Sequence, residues 1–95
     1  MITRFVKMTF VPEKANEFLS IFNDAKDKIR DFKGCSHLEL LQDKTNKNIF
    51  FTYSIWETEE HLNAYRRSEL FEVTWEKTKK IFLDKPEAWT LATPS

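Results

Sequence analysis

The architecture of this chain follows from residues 48–71, whose sequence is NIFFTYSIWETEEHLNAYRRSELF. The first part, Ile49–Trp56, is the most apolar run of the chain, and its β-branched and aromatic residues are typical of a strand. Successive side chains of a strand point to opposite faces, so Tyr53 and Trp56 lie on different faces, and neither face is polar. We therefore predict a central strand that is covered on both sides.

The charged second part of the stretch predicts two consecutive helices. Thr58 is placed to cap the first helix, Glu59–Arg66, whose first turn contains the acidic residues that a helix dipole favours. Ser68 is placed to cap the second helix, which we expect to stop at the sequence DKP of residues 84–86. The predicted inner stripe of the second helix consists of Leu70, Phe71, Thr74, Trp75, Thr78, Ile81 and Phe82.

The rest of the chain supplies a long helix and three more strands. We predict a strand over residues 2–10, which Pro12 ends, and a helix over residues 13–32, where apolar residues recur at helical spacing. Gly34, the only glycine, follows this helix and suits a left-handed conformation at its C-terminal end. The two remaining strands are predicted over residues 35–42 and 88–93.

This element order, β-α-β-β-α-β, predicts an α+β fold of the ferredoxin-like, split β-α-β type over a single domain, residues 1–95. Two helices then cover one face of a four-stranded antiparallel sheet. The other face would expose a large apolar patch. A second copy of the chain covers that patch most simply, so we predict a homodimer that forms through the sheet face.

The composition excludes several classes of protein. The formal net charge is zero and no long basic run occurs, so we do not expect a nucleic-acid partner. No apolar stretch of about 18 residues or signal peptide is present, which predicts a cytoplasmic protein with no membrane partner. Cys35 is the only cysteine, and the two histidines have no metal-binding spacing, so we expect no disulfide within the chain and no metal.

Five segments indicate a family: ITRFVKMTFVPEKANEFL (residues 2–19), FKGCSHLEL (32–40), NIFFTYSIWE (48–57), SELF (68–71) and PEAWTL (86–91). Through them, nearly the whole chain resembles the antibiotic biosynthesis monooxygenase (ABM) domain of the dimeric α+β barrel superfamily. The resemblance implies oxygenation of a small aromatic phenol or quinol by dioxygen, with no flavin, haem or metal cofactor. Such an enzyme encloses a flat apolar substrate between helices and sheet, holds an acid or base near the phenol oxygen, and excludes water.

Five aromatic residues are candidates for the wall of this pocket. Tyr and Trp combine an apolar body with a polar tip that a bound substrate can satisfy. Aromatic residues at strand and helix spacing are also common in protein cores, and Tyr53 equally suits the dimer interface. The candidate substrate-binding residues are Tyr53, Trp56, Tyr65, Phe71 and Trp75.

His37 is the candidate general base, because histidine exchanges protons near neutral pH. Alternation along the second strand places it on one face together with Cys35 and Glu39, so that Glu39 is able to orient it. A hydrogen-bonded histidine in the sheet or the interface is the alternative. At the helix junction, Arg66 and Arg67 suit an anionic group of a substrate, or else belong to the solvated surface.

Two other functions compete with oxygenation. Relatives in the superfamily that degrade haem use an Asn on the first strand and a His ten residues beyond a Trp of the short helix. Here Tyr65 and Trp75 stand at the matching helix positions, and residues 2–10 contain no Asn, so haem degradation is not expected. A non-catalytic dimeric module that binds a small ligand or acts in stress remains open, because the His-rich segment that many quinol-oxygenating members have around SELF is missing.

Overall fold

The computed structural model describes residues 1–94 and contains a four-stranded antiparallel sheet with helices on one face. Its elements are β1 (Ile2–Thr9), a 3-10 turn (Pro12–Lys14), α1 (Ala15–Arg30), β2 (Cys35–Gln42), β3 (Ile49–Trp56), α2 (Glu59–Arg66), α3 (Glu69–Lys79) and β4 (Glu87–Leu91). The strands lie side by side in the order β2-β3-β1-β4. This arrangement confirms the predicted α+β, ferredoxin-like fold.

The central position of β3 is also confirmed, since β1 and β2 flank it on either side. The side chains of Phe50 and Trp56 are each only 1% exposed, and they point to the side of the sheet on which the helices lie. We call this side the helix face. The other side of β3 is covered by no element within residues 1–94, so the chain itself supplies only one of the two covers that the sequence predicts.

The main core lies between the helix face and α1. Phe10 is completely buried at the end of β1, where its ring stacks on Phe18 of α1 at a centroid distance of 4.3 Å and on Phe82 at 5.3 Å. Burial of large aromatic side chains is the main favourable contribution to the stability of such a small domain. The other buried members of this cluster are Met8, Phe22, Ala25, Ile29, Leu38, Phe50 and Ile81.

Both predicted helix caps are present. The Thr58 hydroxyl accepts a hydrogen bond from the His61 backbone N–H at 3.2 Å, and the Ser68 hydroxyl accepts one from the Phe71 N–H at 3.1 Å. Each bond satisfies one of the backbone donors that the first turn of a helix leaves without a partner. The first helix differs from the prediction, because Pro12 opens a 3-10 turn and the α-helix itself begins only at Ala15.

Gly34 adopts the left-handed conformation that the sequence predicts, with φ of +91°. Its carbonyl accepts a hydrogen bond from the Glu57 N–H at 2.8 Å, which joins the start of β2 to the end of β3. The His61 side chain packs directly against the Gly34 Cα and occupies the space that a Cβ would need. Glycine is therefore required here both by the backbone angle and by the lack of room.

A β-bulge near the start of β2 overturns one prediction. Cys35 pairs with Trp56 whereas His37 pairs with the adjacent residue Ile55, so Ser36 is an extra residue in β2. The bulge reverses the alternation, and Cys35 packs on the helix face against the core. The prediction that Cys35 shares a face with His37 is therefore wrong.

The side of the sheet away from the helices, which we call the open face, is apolar. Leu41, Trp89 and Leu91 are 40%, 43% and 47% exposed there, and Phe5 stacks on Tyr53 at a centroid distance of 4.9 Å. Apolar side chains thus extend across all four strands of this face. None of the helices within residues 1–94 has the length and apolar character that crossing a membrane requires.

Candidate functional site

A cavity of about 340 Å³ lies between the helix face and the three α-helices. Its floor is formed by residues of β1 and β3, and its walls by apolar side chains of α1 and by aromatic side chains of α2 and α3. A volume of this size matches the lower end of the range for small-molecule pockets. The cavity is therefore large enough for a ligand of one or two aromatic rings.

Four of the five predicted aromatic residues meet at this cavity. The Trp56 and Tyr65 rings stack at a centroid distance of 4.9 Å, and the Tyr65 ring meets Phe71 edge-on at 5.3 Å. Phe71 in turn lies nearly parallel to Trp75, with 5.7 Å between the centroids. β3, α2 and α3 thus contribute one continuous aromatic wall, which consists of Trp56, Tyr65, Phe71 and Trp75.

The polar tips of this wall differ in their availability. The Trp56 Nε1–H donates a hydrogen bond to the Ser54 hydroxyl at 3.0 Å, so its indole needs no further partner. The Tyr65 hydroxyl makes no hydrogen bond to any side chain or backbone group of residues 1–94. Burial, with a smaller contribution from the nearby Cys35, raises the pKa of Tyr65 above its usual range. Tyr65 therefore stays protonated at neutral pH and can donate a hydrogen bond to a ligand.

The fifth aromatic residue, Tyr53, and the candidate base, His37, lie on the open face instead. Their rings are neighbours at a centroid distance of 5.0 Å, and His37 Nε2 lies 2.9 Å from a Glu39 carboxylate oxygen. Tyr53 points away from the cavity because it alternates with Ser54 along β3. The structure thus brings His37 together with Glu39, as the sequence suggests, but puts the sheet between this pair and the cavity.

The cavity also contains a polar end that the sequence analysis only partly recognised. Arg66 lines it, as does Arg4 of β1, whose Nη1 donates a hydrogen bond to the Thr90 hydroxyl at 2.7 Å. Arg4 lies on the same face of β1 as Val6 and Met8, so it is a charged residue on the helix face of a strand. A charged residue among the apolar residues of one strand face is unusual, and this pattern could have identified Arg4 from the sequence alone. Arg67, the other candidate for an anionic group, does not line the cavity.

No three side chains of His, Cys, Asp or Glu within residues 1–94 lie close enough to hold an ion together. The lining of the cavity contains neither an imidazole nor a carboxylate. Its chemistry therefore depends on arginine, tyrosine and hydroxyl groups.

Comparison with known proteins identifies the family. The family model described as "Antibiotic biosynthesis monooxygenase" matches residues 1–77, which is most of the chain. The chain belongs to the antibiotic biosynthesis monooxygenase family. This assignment agrees with the family that the strand and helix motifs of the sequence resemble. A search of curated proteins found no match to the chain.

Several solved structures share the fold over 98–100% of the chain. A crystal structure of an antibiotic biosynthesis monooxygenase superposes with a TM-score of 0.94 at 15% identity and covers 100% of both chains. A conserved protein from Methanosarcina mazei Go1 gives 0.92 at 21% identity, covering 99% of this chain and 94% of its own. A putative antibiotic biosynthesis monooxygenase from Nitrosomonas europaea gives 0.92 at 12% identity, with 98% of each chain covered. At such low identities these likenesses establish the fold and leave the substrate open.

Proposed function

We propose that the protein is a cofactor-independent monooxygenase that oxidises a small aromatic phenol or quinol with dioxygen inside the cavity. The observation that carries this proposal is the aromatic wall of Trp56, Tyr65, Phe71 and Trp75 around a cavity of about 340 Å³. Flat rings bind well between such side chains, since stacked and edge-on aromatic pairs are both favourable. Membership of the family supports the reaction type.

The substrate supplies all the electrons in this reaction. A quinol that loses its phenolic proton becomes electron-rich at the ring carbons and reduces dioxygen directly. One oxygen atom forms a new bond to a ring carbon and the other leaves as water, so a quinol and dioxygen give a hydroxyquinone and water. The tasks of the protein are to hold the ring, to favour its ionised form and to keep bulk water from the reactive intermediate.

We also propose that two copies of the chain associate through the open face. The apolar side chains of all four strands lie there, and Leu41, Trp89 and Leu91 are each at least 40% exposed. Contiguous apolar surface of this extent is unusual on a monomer. A twofold axis would let each sheet cover the other, and β3 would then have the two apolar covers that its sequence predicts.

A second candidate function is a dimeric module that binds a small ligand without chemistry. The specific observation in its favour is that no imidazole or carboxylate lines the cavity, so no side chain there is an ordinary general base. The aromatic wall would then serve binding alone. This candidate and the oxygenase predict the same ligand class and differ in whether dioxygen is consumed.

Oxygen uptake and ligand binding, measured together, separate the two candidates. We expect hydroquinones or anthrone-type phenols to quench the tryptophan fluorescence of the protein and to stimulate oxygen uptake, with one atom of labelled dioxygen in the product. The Trp75→Ala variant is expected to weaken binding about fivefold, because a lost aromatic stack costs about 1 kcal/mol. Val73→Ala, on the same helix but 49% exposed, is the matched control. Ligand binding without oxygen uptake would establish the non-catalytic module. The absence of both ligand binding and oxygen uptake would refute both functions.

The dimer is tested separately by light scattering. We expect a dimer at micromolar concentration for the wild type and a monomer for Leu41→Asp, because the new carboxylate would be buried without a partner between the sheets. Val73→Asp places the same charge on the outer side of α3 and is expected to leave the dimer intact. A monomeric wild type would refute association through the open face.

A further inference from the structure

Two arginine side chains from different elements lie at the same cavity. Arg4 extends from the helix face of β1 and is half-buried, whereas Arg66 is exposed at the last residue of α2, directly after Tyr65 of the aromatic wall. Burial lowers the pKa of Arg4, and the positive charge of Arg66 lowers it further. Two like charges at one cavity oppose each other, and an anion between them would relieve this repulsion.

Neither arginine has an anionic partner among residues 1–94. The ion pairs in that part of the chain involve other side chains, and the contact of Arg4 is the neutral hydroxyl of Thr90. A guanidinium group presents several fixed N–H donors, and only one of these donors of Arg4 is used by Thr90. The polar end of the cavity thus has positive charge and hydrogen-bond donors for a group that the chain itself does not provide.

The remaining lining adds no negative charge. The residues that α1, β2, β3, α3 and β4 contribute are apolar or carry hydroxyl groups, so the titratable groups of the cavity are Arg4, Arg66 and Tyr65. All three favour a negatively charged oxygen atom, since Tyr65 is protonated and donates. A phenol that enters therefore meets two cations and a donor, with no base.

We propose that Arg4 and Arg66 bind the substrate as its phenolate, so that the electric field of the two guanidinium groups promotes ionisation in place of a protein base. This inference rests on the proposed function and adds to it the ionisation state in which the substrate is bound. In the step, the phenol O–H bond breaks heterolytically, the electron pair stays on the oxygen atom, and the proton passes to water at the mouth of the cavity. No electron is transferred until dioxygen reacts with the anion.

The pKa of a phenol bound in the cavity reflects two opposing effects, burial and the attraction of the two arginines. A positive charge within a few ångströms of an acid lowers its pKa by about 1–3 units. An ordinary phenol titrates near pKa 10, as tyrosine does, and burial in the cavity opposes its ionisation as it does for Tyr65. We expect the attraction of the two guanidinium groups to outweigh burial and to bring the pKa of the bound phenol to about 7–9. A substantial fraction of it is then ionised near neutral pH, and the phenolate is the species that reacts with dioxygen.

A nitrophenol provides a direct test, because only its phenolate absorbs visible light. The free probe is first titrated, and the protein is then added in excess at a pH about one unit below the pKa of the free probe. We expect the phenolate band to increase and the pKa of the bound probe to fall by about one unit or more. An unchanged or raised pKa of the bound probe would overturn the proposal, as would failure of the probe to bind at millimolar protein.

The variants assign this effect to the two arginines. Arg66→Met is expected to lose most of the shift, Arg66→Lys to keep it, and Arg4→Met to lose it as well. Arg67→Met removes a charge one residue away that does not line the cavity, and it is expected to behave as the wild type. A shift that persists in the Arg4→Met/Arg66→Met double variant would refute the assignment. Arg66 is exposed, so its replacement leaves the core intact and tests the idea even if Arg4→Met does not fold.

This readout does not depend on oxygen uptake. A lowered pKa of the bound nitrophenol, together with no oxygen consumption with any quinol, would support the phenolate site and refute the monooxygenase. Oxygen consumption together with an unchanged pKa of the bound nitrophenol would support the monooxygenase and refute the phenolate site.

Discussion

Replacing Gly34 by Ala tests how the chain passes from α1 into β2. At φ of +91°, a residue with a side chain is strained, which costs about 1–2 kcal/mol. The new methyl group would also overlap the His61 side chain, and overpacking of this kind typically costs about 1–3 kcal/mol. Rotation of the His61 ring would not remove the overlap, because the His61 Cβ also lies in the space that the new methyl group would occupy. Together these costs predict a loss of about 2–5 kcal/mol.

The two contributions can be separated by a double-mutant cycle in urea unfolding. His61→Gly removes both the ring and the Cβ that stand in the way, so Gly34→Ala in that background is expected to cost only the strain, about 1–2 kcal/mol. In thermal unfolding, the single Gly34→Ala variant is expected to melt at least about 8 °C below the wild type. Lys33→Ala, at the exposed neighbouring position, is the control. Equal effects of Gly34→Ala in both backgrounds would show that His61 does not limit the space, and wild-type stability would refute the left-handed conformation.

Three further outcomes follow from the site and the open face. Ser54→Ala leaves the buried Trp56 N–H without its acceptor and is expected to cost about 1–3 kcal/mol in urea unfolding, whereas Ser36→Ala at an exposed position costs little. Because burial raises the pKa of Tyr65, the unfolded chain ionises this residue above about pH 10 while the folded chain does not, so stability falls as the pH rises. Urea titrations of Tyr65→Phe above pH 10 should show a shallower fall, and an identical slope would contradict the buried phenol. His37→Ala is expected to weaken the dimer in sedimentation experiments and to leave oxygen uptake by the remaining dimer unchanged; a complete loss of uptake would restore His37 as the base.

The sequence predicted the fold well because its local signals agree with one another. The bounds of β2, β3 and α2 are those predicted, and Thr58 and Ser68 cap their helices as expected. The aromatic wall was also predictable, since Tyr65, Phe71 and Trp75 follow from helical spacing. For the caps and the bounds of the elements, a side chain acts on groups within a few residues of itself, which is the range over which sequence patterns are informative.

The features that the sequence did not reveal depend on distant parts of the chain. The bulge that turns Cys35 to the helix face has no marker in the sequence of β2, which reads as a regular alternation. The choice of which face the helices cover depends on α1 and α3, and it separates Tyr53 and His37 from the cavity. Arg4 and Arg66 are 62 residues apart in sequence, and only the antiparallel pairing of β1 with β3, which leads into α2, brings them together.

The alternation of β3 has a consequence for how such proteins diversify. Its eight residues divide into an even-numbered set beneath the helices and an odd-numbered set on the open face. Under the two proposals, a point mutation in the even-numbered set is expected to alter ligand preference and to leave the dimer interface unchanged, and the reverse is expected for the odd-numbered set. Deletion of a single codon within the strand would exchange both sets at once, because a shift of one position turns every side chain over. Insertions and deletions are therefore expected to be purged from this segment, even in lineages where its individual amino acids drift freely.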